Sequence, residues 1–113
     1  MKNIDKQESQ QLINIIKTMI EATEHFQKLI REKQLDHAVN MFTSIVEGLT
    51  KLDPVFKQLN DQQLTNEKRK LDNAVLLIAK ELEQEKDLKV LEITQFNLLP
   101  NLNRVITIIK KEN

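Results

Sequence analysis

Acid–base or nucleophilic chemistry in this 113-residue chain would have to come from two histidines, two serines and 17 carboxylates, because there is no cysteine and no tyrosine. Histidine is the usual proton carrier near neutral pH. His25 and His37 lie on different predicted elements, and His25 has only Glu21 one turn away as a carboxylate able to share a metal ion with it. Helical bundles that hold paired metals carry inward Glu-x-x-His motifs. Here the residues three before His25 and His37 are Ala22 and Gln34, so that pattern is absent. Ser9 and Ser44 sit in no strand-to-helix elbow, and the chain has no Gly-rich phosphate loop, zinc-protease motif or calcium-loop spacing. The expectation is a protein with no catalytic residue, no cofactor and no metal. An enzyme or metal protein using His25 and nearby acids is the outlying alternative.

Charge points the same way. Lysine plus arginine and aspartate plus glutamate balance at 17 each, which removes the broad field that draws proteins to nucleic acid or anionic membranes. The densest basic run, Lys68-Arg69-Lys70, is flanked by Glu67 and Asp72, with no tyrosine or tryptophan to stack on bases. Lys110-Lys111 behind an apolar stretch is too small a cluster for a membrane surface. The longest apolar run, Ala74 to Ala79, is far short of the ~18 residues that a membrane span needs. Neither nucleic acid nor membrane is expected as a partner, and the lack of cysteine fits a reducing, cytoplasmic setting.

These side chains must be carried by helices. One glycine in the whole chain leaves few places for hairpin turns, and 40% apolar residues are enough for one core. Leu12, Ile15, Met19, Ala22, Phe26 and Leu29 recur at 3-4 spacing and predict a first helix over about residues 6–33, with an apolar arc wide enough for two neighbours. Asp36 is a candidate cap for a second helix, whose face is Leu35, Ala38, Val39, Phe42, Ile45, Val46, Leu49 and Leu52. Pro54 either kinks that helix or follows Asp53 as the start of a separate short one. Asn60-Asp61-Gln62-Gln63 reads as the mid-chain turn, and Thr65 is a possible cap.

A third helix is anchored by Leu71, Ala74, Val75, Ile78 and Leu82, with Lys68 and Arg69 on its outward face. After a break near Asp87, Leu88, Leu91, Leu98, Leu102, Val105 and Ile109 give a fourth, which Pro100 kinks or restarts. The expected fold is all-α: one domain over residues 1–113, an antiparallel four-helix bundle of two helical hairpins with helices 2 and 4 kinked or broken at proline. A three-helix bundle, with the last two helices continuous, is the rival. Gly48 inside the second helix costs about 1 kcal/mol against alanine, and close approach of another helix explains it most simply.

One surface exceeds what an isolated bundle needs. With Leu88 as origin of a wheel at roughly 100° per residue, Val90 and Ile108 fall near 200°, Ile93 near 140° and Phe96 near 80°, outside the core stripe. Grouped apolar surface of that kind marks protein contacts, and the coiled-coil-like spacing of the first helix offers a matching edge. Val90, Ile93, Phe96 and Ile108 are the candidate partner-binding residues. The partner is another protein or a second copy, as a homodimer or a small adaptor.

The segments LDHAVNMFTSIVEGLTKLDPVF and DLKVLEITQFNLLPNL, with Glu47-Gly48-Leu49 and a Leu-Leu-Pro, resemble small helical proteins of unknown function from Gram-positive bacteria. That resemblance implies a small all-α bundle and carries over no catalytic residue. By size and architecture the chain is also similar to small helical chaperones for flagellar export, which implies the alternative of holding an amphipathic client helix in an interhelical groove.

Overall fold

The computed structural model describes residues 4–111. Its elements are α1 (Lys6–Arg31), α2 (Leu35–Leu59), α3 (Gln62–Glu83), α4 (Asp87–Ile93), a π-helical turn (Thr94–Leu98) and α5 (Leu99–Lys111), with no strand among the described residues. Ile93, Thr94 and Leu99 all keep right-handed helical φ and ψ, so α4, the π turn and α5 form one continuous rod. Four rods in an elongated body of 44 × 21 × 20 Å make the expected bundle of helical hairpins.

Local chemistry sets the ends. The Asp5 carboxylate accepts from the Glu8 N–H at 2.8 Å and starts α1, and the Asp61 carboxylate does the same for the Leu64 N–H at 3.0 Å in α3. Asp61, not Thr65, is therefore the cap. Asp36 is not a cap either: α2 begins one residue earlier, and Asp36 lies in its first turn, where a negative charge faces the positive helix end. Lys33, Asn60 and Glu85 close the three turns in the left-handed region, with φ of 60°, 50° and 57°. The turn at Glu85 separates α3 from α4, which removes the three-helix rival. Lys33 Nζ reaches Asp87 Oδ2 at 2.8 Å, tying the turn after α1 to the start of α4.

The wide apolar arc of α1 meets two neighbours, α2 and α5. Ile16, Phe26 and Ile30 are fully buried there, and the Phe26 and Phe42 rings lie 5.6 Å apart, tilted, across the α1–α2 seam. α3 packs on α4, the π turn and α5, and meets α2. Neither proline ends a rod. Pro54 is exposed on α2, so the Thr50 carbonyl it cannot serve is open to water, and the helix runs unbroken from Leu35 to Leu59. Before Pro100 the Leu99 N–H bonds to the Thr94 carbonyl, five residues back, opening one wide turn.

Candidate functional site

The α1–α2 turn does something the chain's linear spacing concealed: it brings His25 and His37 onto one shallow groove of about 420 Å³, with Leu29, Gln34, Met41 and Ser44 beside them. No carboxylate lines that groove. Among the described residues no three histidine, aspartate or glutamate side chains are grouped to hold a metal ion. The Ser44 hydroxyl donates to the Asn40 carbonyl at 3.3 Å, as a helical serine does, and Ser9 is buried on α1.

The basic run at the start of α3 is split by the fold. Lys68, expected on the outward face, is buried: its ammonium lies 2.6 Å from Asp53 on α2 and 2.7 Å from Asp72 on its own helix. Its aliphatic stem can lie along the apolar seam while the charge meets two carboxylates at the rim. Burial alone lowers the pKa of Lys68, but the hydrogen bonds to Asp53 and Asp72 outweigh it and hold the group above the ordinary lysine value. Lys70 faces Glu67 at 3.9 Å, and Arg69 reaches Asn66 at 3.5 Å. Three adjacent cations thus point to four different partner residues rather than to one phosphate. Among the described residues Glu67 is the other buried charge, with Oε1 3.5 Å from Arg104 of α5 and Oε2 buried without a hydrogen bond.

The four apolar residues of the last rod require a correction. Val90 is fully buried and Ile108 is 9% exposed, so both belong to the core, and Ile93 is partly buried against it. Phe96 alone stands free, at 72% exposure. Leu88, taken as part of the core stripe, is instead more exposed than any of them. The wheel failed because its origin faces solvent and because the π turn sets every later residue back by roughly the 100° of one residue.

Exposed apolar side chains cluster elsewhere: Ile15 and Val39, expected on core faces, and Val55 and Leu76, expected on no particular face. Ile15 and Val55 flank a groove of about 620 Å³ between the start of α1 and the end of α2, where Glu8, Gln11 and Gln58 make the lining half polar. A second groove, of about 530 Å³, lies between the first half of α2 and the second half of α3. Phe42, Ala79 and Leu82 line it, Val39 and Leu76 stand on it at 46% and 68% exposure, and Lys80 and Glu83 are its charged members. Its lining is mainly apolar, and exposed apolar side chains stand on its edges. From α2 it is lined by Val39 and by Phe42, whose ring also meets Phe26 of α1.

No curated protein and no solved structure matches this chain at a significant level. Residues 7–108 match the model of one family, described as a domain of unknown function, DUF8042. That match takes in all four rods, from the first turn of α1 to the last turn of α5, and the chain belongs to the DUF8042 family.

Proposed function

We propose that this protein is a non-enzymatic helical bundle that acts through protein–protein contacts, chiefly by pairing with itself. The observation that carries this reading is the group of apolar side chains left around one groove by a fold that already fills its own core: Val39 at 46% and Leu76 at 68% exposure stand beside Phe42, Ala79 and Leu82. Single exposed leucines are ordinary, but apolar side chains grouped on a groove are the usual mark of a contact surface. Balanced charge favours like chains meeting, since no net repulsion opposes them. The lack of cysteine fits work in a reducing cytoplasm.

Light scattering of the purified chain over a wide concentration range tests this. The expected result is a mass that rises from 13.3 kDa toward twice that value. A mass fixed at the monomer value at every concentration would refute self-pairing. Holding an amphipathic client helix is the second reading, favoured by the apolar α2–α3 groove, and it predicts a monomer that co-purifies with one reproducible protein from its host.

A further inference from the structure

We draw no further inference here: the strongest candidate, the apolar groove between the first half of α2 and the second half of α3, already carries the reading proposed above, and nothing in the structure shows what covers it.

Discussion

Gly48 should be replaceable by alanine with a gain in stability of about 1 kcal/mol. The residue sits in the interior of α2, half-buried and facing α1, where glycine costs about that much relative to alanine through its backbone freedom in the unfolded chain. Close helix approach would justify the cost only if a side chain had no room. A Cβ built on Gly48 would lie 3.4 Å from Met19 Sδ, 3.5 Å from its Cγ and 3.7 Å from its Cε. Those are contact distances to the flexible end of a thioether, not a clash with the backbone of α1. The added methyl also buries part of the ~0.8 kcal/mol that a fully covered carbon contributes, which offsets a small adjustment of Met19. Thermal unfolding followed by far-UV circular dichroism should show the midpoint raised by about 5 °C, with an unchanged urea m-value. Gly48→Leu should reverse the sign, because overpacking the α1–α2 seam costs about 1–3 kcal/mol. If Gly48→Ala instead lost more than about 1 kcal/mol, the two helices would have to lie closer than the Met19 contacts allow.

Glycine is missing where the backbone would use it: Glu85, exposed at φ 57°, takes a left-handed conformation that glycine adopts freely, so Glu85→Gly should stabilise the α3–α4 turn by about 0.5–1 kcal/mol in a urea titration. Asp61→Ala should cost about 1 kcal/mol by stripping the Leu64 N–H of its cap, and Asp61→Ser should recover most of it. Lys68→Met keeps the stem and removes the charge, and should destabilise by about 1–2 kcal/mol at neutral pH, since Asp53 and Asp72 are left facing each other. The Lys68 pKa is raised on folding, so its contribution is complete below the ordinary value of 10.5 and is lost as the pH climbs through the raised one; the gap between wild type and Lys68→Met should be flat across neutrality and close only in strong alkali. Arg104→Met should cost about 1–2 kcal/mol by leaving Glu67 buried with only a distant lysine, whereas Glu67→Met should be neutral or stabilising.

Much of this fold is legible in the chain. The 3-4 spacing of α1, the breadth of its apolar arc and the turn at Asn60–Asp61 follow from residue types alone, because they depend on a regular helical period and on local capping. What escaped is non-local. Lys68 reads as a surface residue until Asp53, fifteen positions away, is brought to its ammonium by the α2–α3 turn. His25 and His37 share a groove only after the α1–α2 turn has closed. Val39 and Phe42 read as one core face with Ala38, Ile45 and Leu49. Only the packing shows that Val39 stays 46% exposed on an open groove, while Phe42 both lines that groove and meets Phe26 of α1.

The last rod shows how much a single turn decides. A wheel at 100° per residue holds only while every turn contains 3.6 residues. Proline at position 100 has no N–H, and in a regular helix its ring would press on the Phe96 carbonyl, so the chain opens the turn ahead of it and the Leu99 N–H passes over to Thr94. A second contact holds the opened turn in place: Gln27 of α1, buried, donates to Thr94 Oγ1 at 2.9 Å and to Gln95 at 3.2 Å, while the Thr94 hydroxyl donates to the Leu91 carbonyl at 2.8 Å. These bonds satisfy polar atoms that the core would otherwise leave unpaired, and they fix which residue of the wide turn faces inward. With Thr94 and Leu98 inside, Phe96 between them is directed outward, while Val90 upstream and Ile108 downstream both reach the core. An aromatic side chain in solvent is thus a geometric consequence of the wide turn and by itself says little about a partner. The α2–α3 groove has no such local cause, and for that reason it, rather than Phe96, carries the proposal of a contact surface.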